Sequence, residues 1–370
     1  MTGLISVIAF VAILIQSPSP LRHAFYETFL HLHIALVILS FVALWMHLSG
    51  LPQRGLLIAA IAAWIFDRTF RLCNLLYRNT GHGGTKATIE VLPGDALRVS
   101  FRVARPWKVQ PGQHIYVTIP SIGLWTSHPF SIAWHDIDPP FNRTLDTAEK
   151  GATAAATPCH SPPSTTISTI IRRRTGFTET LYTRAAKAST STGTTNLTLT
   201  ALIEGPYGAP RPLSSYGSVL LFAAGVGITH QLPYVRQLVA GHATATVATR
   251  RITLVWIVQS PDHLEWIRPW MREVLGMEKR KEVLRIMLFI TRPRNKTEVV
   301  SPSCMVQMFP GRPCVETVVK AECEAGVGVV GVGVCGTGGL SDAVRGAVRR
   351  RVSRGGEGGN VEFAEESFSW

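Results

Sequence analysis

The chain has 370 residues, room for two or three domains. Its 46% hydrophobic and 16% charged content is apolar for a soluble protein and polar for one lying wholly in a membrane. The formal net charge is +13, yet the basic clusters Arg172-Arg173-Arg174 and Arg349-Arg350-Arg351 lack the interleaved aromatics of a nucleic-acid face, so no nucleic-acid partner is expected. The six cysteines form no CxxC pair, which argues against a structural zinc site and against a secreted disulfide framework.

The apolar excess lies at the start. Residues 2–16, 28–48 and 55–66 are nearly free of charge. A bilayer core needs about 20 apolar helical residues. Phe25 to Leu48 meets that length, while Gly3–Gln16 and Leu51–Phe66 are shorter and draw on their flanks. Three membrane helices are predicted within residues 1–78. Arg68, Arg71, Arg78 and Lys86 follow the last one, and positive residues beside a span favour the cytoplasmic side. The first 16 residues carry neither the basic start nor the cleavage site of a signal peptide. The second helix contains His31, His33 and His47, and an ionisable residue inside a span is a functional candidate. His33 and His47 lie about 40° apart around the axis and about 21 Å apart along it, so each would sit near one leaflet. Interfacial histidines reaching to water are the plainer reading. His31 faces away.

Residues 82–212 read as an antiparallel β-barrel, with "ATIEVLPGDALRVSFRV" and "HIYVTI" as strands. "WTSHPFSIAW", residues 125–134, breaks the alternation of such a strand with a proline. Segment 142–168, rich in Ala, Thr, Ser and Pro, is predicted to be a disordered insertion. "TIIRRRTGFTETLY" is predicted to resume as a strand and Ala185–Asn196 to form a loop. In residues 216–370 strands alternate with helices, which indicates a doubly wound parallel sheet. Four strands are predicted there. Gly225 and Gly227 end one and Cys335-Gly336 ends another, at the edge where such sheets bind ligands.

In this order, the helix with two histidines 14 apart, SHPFSIA, GFT, EGPYG, AGVGIT, VWIVQSPDHLEWIRPWM, the Cys-Gly strand end and EESFSW resemble the fungal ferric reductase family. These are transmembrane metalloreductases related to NADPH oxidases. The resemblance runs from about Arg22 to Trp370. It implies a multi-domain, ferredoxin-reductase type architecture: α-helical membrane segment, antiparallel β-barrel binding FAD, and α/β Rossmann-like NADP-binding domain. It implies that Ser131 hydrogen-bonds the flavin edge while His128, Pro129 and Phe130 shape the pocket beside the ring. Arg172, Arg174, Gly176, Phe177 and Thr178 would meet the FAD pyrophosphate. Gly205, Pro206 and Gly208 would form the turn near the nicotinamide. Gly225, Gly227, Ile228 and Thr229 would form the NADPH phosphate loop, with Cys335 and Gly336 beside the nicotinamide. Trp370 would stack on the flavin. Ser131, Cys335 and Trp370 are thus the expected catalytic residues, and His33 and His47 the expected haem b ligands. The implied activity carries electrons from NADPH through FAD and haem, across a plasma membrane, to a ferric or cupric chelate, with both nucleotide domains cytosolic.

Some positions depart from the family. Its members carry further membrane helices and a second histidine for each haem, and residues 1–22 contain no histidine. The expectation is an N-terminally truncated gene product or a second chain that supplies haem ligands. Thr337 stands where proline usually follows Cys-Gly. Gln259 stands where a basic residue would help hold a 2′-phosphate. The competing readings are a superoxide-producing NADPH oxidase, a haem-less diaphorase and a non-catalytic fragment.

Overall fold

The computed structural model describes residues 1–18, 26–81, 83–124, 126–138, 164–192, 196–293, 299–301, 303–353 and 361–366. The chain divides into two compact units, Met1–Asn74 and Leu75–Trp370.

In the first unit α1 (Thr2–Gln16) packs antiparallel on α2 (Tyr26–His47), and α3 (Arg54–Asn79) follows. The seam between α1 and α2 is made of small residues. Ser6, Ala9, Ser40 and Ala43 are buried, and the Ser6 hydroxyl donates to the Ser40 carbonyl at 3.2 Å. Small side chains let the two backbones approach, and the remaining apolar side chains, Leu4, Ile8, Leu14, Ile38 and Met46 among them, point outward. Three spans were expected. Among the described residues one helix, over Thr28–His47, is long and apolar enough to cross a membrane. The 15 residues of α1 reach only about 22 Å. The apolar run of α3 continues without a break into Asp67, Arg68 and Arg71, which lowers its overall apolarity.

The second unit opens with the barrel. Strands β1 (Lys86–Leu92), β2 (Ala96–Val103), β5 (Trp134–Asp138), β6 (Ser164–Arg172) and β7 (Asn196–Thr200) form an antiparallel sheet in the order β5-β6-β2-β1-β7. Strands β3 (His114–Thr118), β4 (His128–Ser131) and β8 (Leu202–Tyr207) form a second, in the order β4-β3-β8. Ile89, Val99, Phe101, Ile115, Val117, Ile167 and Ile203 fill the space between them.

Two expectations for this part are corrected. Residues 139–163 lie outside the described residues, but 164–168, expected in the insertion, begin β6. Thr165 and Ile167 are fully buried and pair with Val103 and Phe101, so tertiary contact overrides a polar local composition. The strand expected through GFTETLY ends at Arg172, and α4 (Phe177–Thr192) occupies most of the expected loop. Leu181 and Ala185, four apart on one helical face, are buried on the barrel.

The rest is a six-stranded parallel sheet: β9 (Ser218–Ala224), β10 (Arg251–Val258), β11 (Leu284–Ile290), β12 (Val306–Pro310), β13 (Val330–Cys335) and β14 (Val361–Glu366). Helices α5 (Ile228–Ala243), α6 (Arg268–Gly276) and α7 (Arg280–Val283) pack on one face, and α8 (Val315–Ala325) and α9 (Gly338–Ser353) on the other. Strands β12 and β14 were not anticipated. The order β12-β11-β10-β9-β13-β14 reverses direction between β9 and β13, so the sheet's switch point falls where the two glycine turns lie. A barrel followed by this sheet is the ferredoxin-reductase arrangement.

Candidate functional site

The proline of HPFS is explained by its place. β4 is an edge of the three-stranded sheet, where a residue without an N–H is tolerated. All four residues of β4 are half-buried. His128 stacks on Phe177, ring centroids 4.4 Å apart, and Phe130 lies 6.4 Å from the same ring. HPFS and GFT, far apart in sequence, therefore meet. Phe177 opens α4. Gly176 before it has φ +77°, and a Cβ there would meet nothing within 4 Å. Glycine is needed for the backbone turn, and the space beside it is open. The N–H groups that start α4 face an anion-friendly end.

The three arginines behave differently. Arg173 is tied to Glu179 at 2.7 Å and Asp95 at 3.4 Å, and its hydrogen bond holds the Glu179 carboxyl below the usual carboxylate range. Half-buried Arg172 and exposed Arg174 make no ion pair among the described residues. Thr178 uses its hydroxyl locally, accepting from the Arg174 N–H at 2.9 Å.

On the other side of β3, His114 pairs with both Ser131 and Tyr207. Its ring lies 6.0 Å from that of Tyr207, and burial lowers its pKa. Gly205, Pro206 and Gly208 sit at this turn. A Cβ on Gly205 would lie 3.2 Å from the His114 carbonyl oxygen, and one on Gly208 3.4 Å from that of Gly112. Ser131 and the EGPYG turn thus flank one strand.

At the switch point the two glycine turns touch. A Cβ on Gly227 would lie 2.2 Å from the Cys335 carbonyl oxygen, and one on Gly336 2.7 Å from the Ala224 Cβ. Gly225 has φ +54° with open space beside it, and its carbonyl accepts from Trp256 Nε1 at 3.0 Å. Ile228 and Thr229 are buried, and the Thr229 hydroxyl donates to the Val226 carbonyl at 2.8 Å. Their side chains serve the turn, so what they offer a ligand is backbone N–H at the start of α5. Cys335 is buried, and burial, with Glu366 adding to it, pushes the thiol up to about 12. It stays protonated at neutral pH. Gln259 lies beside Arg292, whose N–H donates to the Gln259 carbonyl at 3.0 Å, so an exposed basic residue does stand at this edge. Sequence reading missed Arg292 because it lies after the neighbouring strand, β11. Trp370 lies outside the described residues.

Residues 216–349 match the family of the ferric reductase NAD binding domain, and residues 82–143 match that of an FAD-binding domain. Residues 216–349 are thus a ferric reductase NAD-binding domain. Ferric/cupric reductase transmembrane component 2 of Saccharomyces cerevisiae is 30% identical over 72% of this chain and 32% of its own length. Ferric reductase transmembrane component 3 of the same yeast is 29% identical over 67% and 30%. A probable ferric reductase transmembrane component of Candida albicans is 25% identical over 100% of this chain and 53% of its own. The chain spans about a third of the length of the first two.

The FAD and NAD(P) segments fit their groups: open space beside Gly176 and Gly225, helix starts at both, and two arginines at the first with no ion pair among the described residues. At His47 a haem does not fit. His33 Nδ1 is 3.3 Å from the Gln16 side-chain amide nitrogen on α1. His47 presents its ring to Gly3, where a Cβ would lie 2.9 Å from Cε1 and 3.0 Å from Nε2. A haem iron needs that ring edge open. The described residues hold no cluster of three or more His, Cys, Asp or Glu suited to a metal.

Proposed function

We propose that the chain is an NAD(P)H-dependent flavoprotein reductase of ferric or cupric ions, associated with a membrane through its N-terminal helices. The observation that carries this reading is the stacking of His128 on Phe177, which joins the two flavin segments at one half-buried edge. Ser131 hydrogen-bonds the edge of the flavin ring, and His128, Pro129 and Phe130 wall it. Arg172 and Arg174, with the N–H groups at the start of α4, offset the pyrophosphate charge. The backbone from Gly225 to Thr229 receives the phosphates of the pyridine nucleotide. Gly205 to Gly208, and Cys335 with Gly336, border the nicotinamide. The Cys335 thiol acts there as a neutral neighbour and not as a nucleophile. Arg292 supplies the positive charge for a 2′-phosphate that Gln259 lacks. When bound, NADPH and FAD supply the redox chemistry, NADPH + 2 Fe3+ → NADP+ + H+ + 2 Fe2+, with the hydride pair released one electron at a time.

A haem-less variant of this reading is favoured by one contact, the His47 ring against Gly3. In it, electrons leave the flavin for an acceptor on the same side of the membrane.

The test is an absorption spectrum of the detergent-purified chain, before and after NADPH, with a ferric chelate added last. Flavin bands that bleach with NADPH and return with the chelate are expected. A chain that binds no flavin sinks the proposal. A haem Soret band that splits on reduction overturns the haem-less variant. Arg292→Ala should lower kcat/KM for NADPH about ten-fold and leave NADH unchanged, the size of one charge-assisted hydrogen bond. Equal effects on both nucleotides would refute its role.

A further inference from the structure

The segment from Asp262 to Trp270 leaves the carboxyl end of β10 and packs on the barrel. Trp266 is fully buried and donates from Nε1 to the Pro93 carbonyl at 2.7 Å. His263 stacks on Trp266, centroids 4.2 Å apart, and covers Gly94, where a Cβ would lie 2.4 Å from its Nε2. Arg98 on β2 reaches back. It donates to the carbonyls of Glu265 at 2.8 Å and Trp266 at 2.9 Å, and Glu90 steadies it at 2.7 Å. Trp270 stacks on Trp134, centroids 6.0 Å apart and nearly parallel. Arg236 of α5 lies 4.1 Å from the Trp134 ring and donates to the His135 carbonyl at 2.7 Å.

A contact made for stability alone could use any apolar surface. This one ends on two short pieces of the barrel, one hydrogen-bonded to a proposed flavin segment and the other continuous with one. The turn Pro93-Gly94-Asp95 is gripped by His263 and Trp266 on one side. On the other, Asp95 accepts from the Arg173 N–H at 2.7 Å, next to Arg172 and Arg174. Trp134 begins β5, three residues after Ser131. The indole and imidazole rings are flat and stiff, with few torsions to lose, so they fix distance better than flexible aliphatic side chains. Reactions between bound groups depend on such distances: a misplacement of about 1 Å can lower a rate about 100-fold.

We propose that His263, Trp266 and Trp270 are positioning residues that hold the flavin edge of the barrel at a fixed distance from the glycine turns of β9 and β13. The proposal rests on the reading of those edges as FAD and NAD(P)H sites. It gives a role to the DHLEWIRPW motif, which otherwise has none.

The test uses the full chain in detergent with Trp266→Phe and Trp270→Leu. Trp266→Phe keeps one ring in the slot, removes the N–H to Pro93 and gives up the volume of the second ring. Two quantities are read: amide hydrogen exchange along the chain, and the limiting rate of flavin reduction by NADPH in stopped flow. Exchange should rise at residues 93–95 and 172–178 and stay unchanged in β9 and β13. The limiting rate should fall about ten-fold, with FAD occupancy and the NADPH Kd within about two-fold of wild type, as expected for lost orientation rather than lost binding. An unchanged rate overturns the proposal. So does exchange that rises throughout the unit together with loss of FAD, which would mark a purely stabilising contact. If Trp270→Leu does not fold, Trp266→Phe decides alone. A wild-type chain without flavin would instead remove the functional reading, an outcome visible before any substitution.

Discussion

His33 and His47 on α2 and His128 on β4 are histidines at positions that resemble one family's motifs, and they meet different surroundings. His128 stacks on Phe177, a residue of the GFT segment, so two independent sequence signals converge on one place. His33 and His47 share a helical face as their spacing requires. That face is turned onto α1, where Gln16 and Gly3 receive the rings. The contrast teaches that spacing along one element fixes which side chains share a face and leaves open what stands opposite. A motif is best read as a site where a second signal arrives from elsewhere in the chain.

The largest expected effect breaks the site at its tightest point. Gly227→Ala would press a Cβ against the Cys335 carbonyl, and backbone there has little room to give. NADPH-driven flavin reduction should fall at least about 100-fold, and stability by about 1–3 kcal/mol, the range for overpacking. FAD should stay bound. Stopped-flow reduction and thermal unfolding would check it, and near-normal reduction would refute the close approach of the two turns.

A fourth histidine sharpens the comparison through pH. His230 on α5 is buried, and burial lowers it from 6.5 to about 4. The unfolded chain binds the proton that the folded ring refuses. Its share of stability is present above about pH 6.5 and is lost as pH falls toward 4, a difference of about 3 kcal/mol. Unfolding midpoints measured from pH 7 to 4 should fall, and His230→Asn should flatten that slope. An equal slope in the variant would contradict the assignment.

A smaller effect separates the arginines. Arg172→Ala and Arg174→Ala should each weaken FAD binding about ten-fold, as expected for a lost charge-assisted contact. Arg173→Ala should weaken it less, because its guanidinium is already occupied by Glu179 and Asp95. Flavin titrations would rank the three, and Arg173 ranking first would reverse this account.

The smallest effect is expected at α2. His33→Ala and His47→Ala should leave flavin reduction by NADPH within about two-fold of wild type, since neither residue belongs to the nucleotide sites. A large loss in either would restore the histidine pair to the electron path.

Local pattern alone determined much of this protein. Apolar runs marked α2, β-branched runs marked the barrel strands, and strand–helix alternation marked the parallel sheet, because each follows from the period with which side chains meet a core. Glycines at strand ends marked the tight turns at the switch point, because only glycine lets backbone come that close. Tertiary structure alone decided the rest. It made β6 from a Thr-rich stretch by burying Thr165 and Ile167, and α4 from a Ser- and Thr-rich one by burying Leu181 and Ala185. It set Arg292 beside Gln259, seated His263 and Trp266 on the β1–β2 turn, and turned His47 onto Gly3. Each of these depends on contacts between residues distant in the chain, and no local window of sequence contains both partners.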